Sequence, residues 1–203
     1  LSIIVPFIQS HSQTWLKIDS LFNPSGVSVQ NFSAPEFADL DGDTLVDLLL
    51  GNGSSARVDF FKRLDASLPP RYARDTTMLA SIYAEGSLGT NSDYPAVSDL
   101  DGDSDMDLVI SGFNGLLFYK NIGDTLAPQW QRVDTIFAQV NTLIGSDAKP
   151  AFADLDADGD LDLLIGIGES LLGGPEPGIT LGFRNTGSRT APQFVQDAAL
   201  VAG

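Results

Sequence analysis

The sequence predicts an all-β fold assembled from repeated four-stranded antiparallel units, on three observations. An aspartate-rich stretch of nine residues occurs three times, starting at Asp39, Asp99 and Asp154, so the copies lie 60 and then 55 residues apart. The apolar runs around each copy are short, rich in Val, Ile, Leu and aromatics, and end at Gly, Asn or Pro, which suits strands rather than average helices. The flanking residues recur in step with the acidic stretches, which separates a structural repeat from a chance acidic run.

Each unit opens with a proline four residues before the first aspartate, at Pro35, Pro95 and Pro150, leading a short apolar segment with Phe37, Val97 or Phe152. After the acidic loop comes the second expected strand, Leu48-Leu49-Leu50, Leu108-Val109-Ile110 or Leu163-Leu164-Ile165, each followed within two residues by Gly. The third is Phe60-Phe61-Lys62, Leu117-Phe118-Tyr119 or Leu181-Gly182-Phe183. The fourth is marked by Tyr72, Trp130 or Phe194, two residues after Pro70, Pro128 or Pro192. Asn114-Gly115, between two apolar runs, is expected to be a hairpin turn of the type that needs positive φ. Almost no helix is expected.

Four short strands in about 55 to 60 residues match a propeller blade better than a solenoid coil. The expected units are residues 34–93, 94–148 and 149–203. Residues 1–33 are expected to be the outer strands of an incomplete blade, because Gln13 to Phe22, with Trp15, mirrors Pro128 to Phe137. The fold class is therefore a β-propeller segment of about three and a half blades, too few to close a ring. The expectation is a part of a longer propeller chain, or a subunit that completes its ring with other chains. Leu1, with no Met and no basic leader, suggests a trimmed chain or internal fragment.

Composition narrows the partners. With 43% hydrophobic residues in 203, the chain can bury a sizeable core. A formal charge of −16, from 27 acidic and 11 basic residues, argues against nucleic acid or anionic membrane as a partner. No run has the apolar length of a membrane span, so no membrane insertion is expected. The absence of cysteine excludes disulfides, thiolate metal sites and a cysteine nucleophile.

The acidity is concentrated. Five carboxylates in the nine residues Asp154 to Asp162 repel one another by about 1 kcal/mol per close pair even in water, so a positive charge is expected among them. Hard oxygen donors at alternate positions suit Ca²⁺. An EF-hand needs an acid at loop position twelve and flanking helices, but that position is Leu50, Ile110 or Ile165, inside an apolar strand. The ninth position supplies the closing carboxylate instead, through Asp47, Asp107 and Asp162. The alternative is a set of solvated acidic turns without metal.

This pattern, DxDxDGxxD between short strands followed by an apolar run and Gly, resembles the FG-GAP or VCBS repeat of integrin α-subunit-type β-propellers, and the resemblance covers essentially the whole chain. It implies Ca²⁺ at three sites, held by side chains at loop positions one, three, five and nine and by the main-chain carbonyl of position seven. These are Asp39, Asp41, Asp43 and Asp47 with Leu45; Asp99, Asp101, Asp103 and Asp107 with Asp105; and Asp154, Asp156, Asp158 and Asp162 with Asp160. The third loop has the family's Gly at position six; Thr44 and Ser104 replace it in the others, so those turns are expected to be less relaxed and to bind more weakly. Three bound ions would bring the formal charge from −16 to −10. The metal's role is expected to be structural, its binding free energy adding to folding.

If the acidic loop joins strands one and two, the links between strands two and three and between blades emerge on the opposite face. Candidate ligand-binding residues there are Glu169, Ser170 and Glu176, in the long Gly166–Gly178 connection, and Glu85, Asn91 and Asp93; variable surface loop is the other reading of both segments. The recurring aromatics Trp15, Tyr72, Trp130 and Phe194 are expected to pack blades rather than stack on sugars. His11 is the only histidine, and no GxSxG, HExxH or phosphate-binding glycine loop is present, so no catalytic residues are assigned and an enzyme is not expected. Taken together, the expected function is a calcium-stabilised extracellular or envelope scaffold for adhesion or for binding a protein or carbohydrate. The alternatives are part of a Ca²⁺-dependent polysaccharide lyase or hydrolase, or an architectural subunit of a surface assembly.

Overall fold

The computed structural model describes residues 33–52, 57–84, 94–112, 115–145, 148–168 and 178–202. The expected half-blade of residues 1–33, with Trp15 and His11, lies essentially outside them. Within them the fold is all-β. Strands β1 (Ser33–Ala38), β2 (Asp47–Asn52), β3 (Arg57–Arg63) and β4 (Tyr72–Asp75) form one antiparallel sheet in chain order. Strands β5 (Tyr94–Ser98), β6 (Asp107–Gly112), β7 (Gly115–Asn121) and β8 (Trp130–Arg132) form the second. Strands β9 (Ala148–Ala153), β10 (Asp162–Ile167), β11 (Ile179–Asn185) and β12 (Phe194–Gln196) form the third. Among the described residues helix is confined to α1 (Ala80–Ala84) and short 3-10 turns at Val140–Thr142 and Ala198–Val201. The three meanders are blade-like and do not close a ring.

The second strand of the middle sheet is apolar on both faces because a sheet packs against each of them. Leu49 and Phe60 of the first sheet pack with Leu108, Ile110, Tyr119 and Trp130 of the second. Val109 and Phe118, on the second sheet's other face, pack with Leu163, Ile165, Phe183 and Phe194 of the third. Alternation along a strand thus sends neighbouring residues into different cores. Each such side chain contributes roughly 1.5–3 kcal/mol of transfer free energy, so these interfaces outweigh any single surface ion pair.

Residues between the sheets complete the cores. Leu79 and Ile82, flanking and within α1, join the first interface, and Phe137, stacked on Phe194 at 5.5 Å, joins the second. The recurring aromatics Tyr72, Trp130 and Phe194 start the fourth strands and are buried, as expected for packing residues. Trp130 Nε1 also donates at 2.9 Å to the Met78 carbonyl, in the turn between β4 and α1. No helix among the described residues is long and apolar enough to cross a membrane.

Gly115 has a positive φ, +109°, and pairs with Gly112 as the first residue of β7, while Asn114, the other residue of the expected turn, lies outside the described residues. The third-strand alignment is displaced by one residue: Leu48 pairs with Phe61, Leu108 with Tyr119 and Leu163 with Phe183. Phe60-Phe61-Lys62 therefore corresponds to Phe118-Tyr119-Lys120, and Lys62, Lys120 and Arg184 share one register.

Candidate metal centres

Each acidic stretch joins the first and second strands of its sheet, between the pairs Ala38–Asp47, Ser98–Asp107 and Ala153–Asp162. The ninth-position aspartate begins the second strand and is buried in all three sheets. Its two oxygens have fixed tasks. Asp47 Oδ2 accepts from Leu40 N at 3.2 Å and Oδ1 from Arg63 N at 2.8 Å. Asp107 accepts from Leu100 N at 3.0 Å and Asn121 N at 2.8 Å, and Asp162 from Leu155 N at 3.1 Å and Asn185 N at 2.9 Å. This carboxylate ties the loop to the end of the third strand. Burial, opposed by those backbone donors, pushes Asp47 and Asp107 up to about 6.

The loop backbone folds around its own carboxylates. Position one accepts from the position-six N–H in every copy: Thr44 to Asp39 at 2.8 Å, Ser104 to Asp99 at 3.2 Å, Gly159 to Asp154 at 3.2 Å. Position five accepts from the position-seven N–H: Leu45 to Asp43 at 2.9 Å, Asp105 to Asp103 at 3.0 Å, Asp160 to Asp158 at 3.1 Å. These turns need positive φ at positions four and six together. Gly42 and Thr44 take +70° and +70°, Gly102 and Ser104 +74° and +77°, Ala157 and Gly159 +63° and +96°. The expectation that only the first two loops are strained is therefore revised: each loop carries one non-glycine residue in the left-handed region, and in the third it is Ala157.

The fold draws together the side chains of Asp39, Asp41 and Asp43, of Asp99, Asp101 and Asp107, and of Asp154, Asp156 and Asp158, each group offering oxygens within 4.8 Å of one another. Asp47 and Asp162 stand outside these groups, as do Asp103, Asp105 and Asp160. Asp39 Oδ1, Asp99 Oδ1, Asp101 Oδ1 and Asp160 Oδ1 are buried without a hydrogen-bond partner, an arrangement costly for a carboxylate unless a cation satisfies it. An all-oxygen donor set with orphaned anionic atoms fits a hard divalent ion such as Ca²⁺.

A basic side chain from the third strand also enters each loop. Lys62 pairs with Asp41 and, at 3.0 Å, with Asp43; Lys120 pairs with Asp101 and, at 3.4 Å, with Asp103; Arg184 pairs with Asp156. Hydrogen bonds to Asp41 and then Asp43 hold the Lys62 ammonium well above the ordinary lysine value. The sequence reading missed these cations because the one-residue slip in the third strand hid their common position.

The loops also meet the next sheet. The turn after β7 brings Thr125 and Leu126 to Gly42, where an added Cβ would lie 2.9 Å from the Thr125 carbonyl oxygen and 3.0 Å from Leu126 Cδ2. The turn after β11 places Arg189 and Thr190 equivalently at Gly102, and Arg189 reaches Asp99 Oδ2 at 2.8 Å. Asn121 and Asn185, also missed, shape these turns: Asn121 Oδ1 accepts from Gly123 N and Gln129 N, and Asn185 Oδ1 from Gly187 N and Gln193 N, at 2.9–3.0 Å. The recurring Asn-x-Gly after the third strand was the available signal.

The expected ligand-binding residues Glu85, Asn91, Asp93, Glu169, Ser170 and Glu176 lie outside the described residues. A groove of about 560 Å³ runs between the second and third sheets, with Asp101, Lys120, Gln139 and Gln193 as polar lining beside Ile136 and Val195.

Comparison with known proteins adds one finding. The FG-GAP-like repeat family matches residues 99–165, a span running from the first aspartate of the second loop to the strand after the third. No curated protein and no solved structure matches the chain. Residues 99–165 are thus similar to an FG-GAP-like repeat, and the blade-like sheets and recurring acidic loops of the chain are consistent with an FG-GAP-type repeat family.

Proposed function

We propose that the chain is a calcium-stabilised propeller scaffold that presents a binding or adhesion surface to a protein or carbohydrate outside the cell or at its envelope. The observation that carries this reading is the recurrence of one acidic centre in three sheets, each with converging carboxylate oxygens. FG-GAP-type repeats often bind calcium, and the buried orphan oxygens ask for a cation. Asp39, Asp41 and Asp43, Asp99, Asp101 and Asp107, and Asp154, Asp156 and Asp158 would hold the three ions. The bound ion neutralises the carboxylate crowd, and the protein's own contribution is the loop backbone that pre-positions those oxygens.

Calcium in this reading fixes the blades, and the partner is met elsewhere on the surface. Millimolar extracellular calcium suits loops of modest affinity. The reading is tested by thermal unfolding with calcium and with chelator, followed by a glycan array and a protein-binding screen under both conditions. A higher melting temperature with calcium, and a ligand captured in its presence, support it; an unchanged melting temperature contradicts the metal's role.

A further inference from the structure

In all three sheets, the third-strand residue that follows the pair partner of the second strand's leading leucine is basic, and it reaches the position-three aspartate of its own loop. These are Lys62 at Asp41, Lys120 at Asp101 and Arg184 at Asp156. Lys62 and Lys120 also lie 3.0 Å and 3.4 Å from the position-five aspartates Asp43 and Asp103. Asp41 and Asp101 are largely shielded from solvent, at 10% and 15% side-chain exposure, so water screens these pairs incompletely. Apart from Arg189, which reaches Asp99 of the second loop at 2.8 Å, the remaining charge of the loops is anionic.

We propose that these tethered cations are internal competitors of the divalent ion, setting each loop's calcium affinity by occupying the same carboxylate oxygens. The inference rests on the calcium reading above. A single ammonium offsets only part of a four- or five-carboxylate crowd, so a doubly charged ion of matching size displaces it, and the released side chain regains rotamer freedom. Until displaced, the ammonium limits carboxylate repulsion in the loop. Lys62 and Lys120 therefore lower calcium affinity while supporting loop shape at low calcium.

The third loop differs. Arg184 Nε is held by Asp197 Oδ2 at 2.9 Å, so its guanidinium is shared with a carboxylate outside the loop. Its competition with the ion is accordingly weaker, and the third loop binds calcium more tightly than the other two.

The test is calorimetric titration of calcium into chelator-stripped wild type and into the single variants Lys62→Met and Lys120→Met. Arg71→Met, which removes one positive charge at an exposed pair with Asp65, controls for net charge. Each lysine variant is expected to tighten one site about tenfold, and the control to leave all sites unchanged. In wild type, the side-chain ammonium resonances of Lys62 and Lys120 are expected to shift on calcium addition while that of Lys149 does not, which needs no variant to fold. Calcium binding with unmoved affinities, a control that matches the lysine variants, or unmoved ammonium resonances overturns the competition while leaving the calcium reading intact. No calcium binding by wild type overturns both.

Discussion

Asp107 Oδ1 accepts the Asn121 backbone N–H at 2.8 Å, linking the first residue of β6 to the last residue of β7. Asp107 Oδ2 takes Leu100 N, and the Asn121 side chain folds the turn that carries Thr125 onto Gly42 of the preceding sheet. Asp162 and Asn185 repeat the link one sheet on, with Arg189 ending at Asp99. The second and third loops are thus each connected through their closing aspartate to the loop of the sheet before them.

Asp107→Asn keeps the size but leaves one acceptor for two backbone donors. A buried N–H facing an amide NH₂ costs about 1–3 kcal/mol, so the variant is expected to lose that much stability even in chelator. The urea midpoint in chelator reads it directly. An unchanged midpoint would mean that the carboxylate serves the metal alone.

Glycine replacements should separate according to what their Cβ meets. A Cβ at Gly123 would lie 2.2 Å from the Ala127 carbonyl oxygen, a backbone atom that cannot swing away, while one at Gly168 meets nothing within 4 Å. Gly123→Ala is expected to cost at least about 2 kcal/mol and Gly168→Ala to stay within about 0.5 kcal/mol of wild type. Equal losses in thermal unfolding would contradict the turn geometry.

Position four of the loops gives an opposite pair. Ala157 sits at φ +63°, so Ala157→Gly relieves left-handed strain and is expected to stabilise by about 1 kcal/mol. Gly42→Ala adds both strain and contact with Thr125 and Leu126, and is expected to destabilise by more than that. The ordering of the two midpoints checks the claim.

Acid dependence follows from Asp47 and Asp107, which burial raises to about 6 from 3.8. Between these values the folded state holds more protons than the unfolded, so their contribution to stability falls as pH rises from about 4 to about 6. In chelator the protein is expected to melt higher at pH 5 than at pH 7, and the Asp107 carboxyl carbon to titrate near pH 6. A midpoint near 4 would contradict the burial effect. Because calcium takes the ionised loop, its affinity is expected to grow across the same interval.

The meander, the acidic loops and the packing role of Tyr72, Trp130 and Phe194 were legible because period, composition and aromatic recurrence all report the same unit. The basic residues that enter the loops were not. Lys62, Lys120 and Arg184 fall into step only once strand pairing fixes the third-strand register, and a one-residue slip exchanges the two faces of a strand. The strain at Ala157 was equally hidden, since the motif advertises its glycine at position six while the backbone turns left-handed at position four as well. The double role of Asp47, Asp107 and Asp162 as backbone acceptors could not be read from a spacing that predicts only ligands.

On the proposed reading the three acidic loops are calcium centres. Calorimetric titration of calcium into the chelator-stripped chain tests it most directly. Three ions bound per chain is the predicted result, and a chain that binds none would contradict the account.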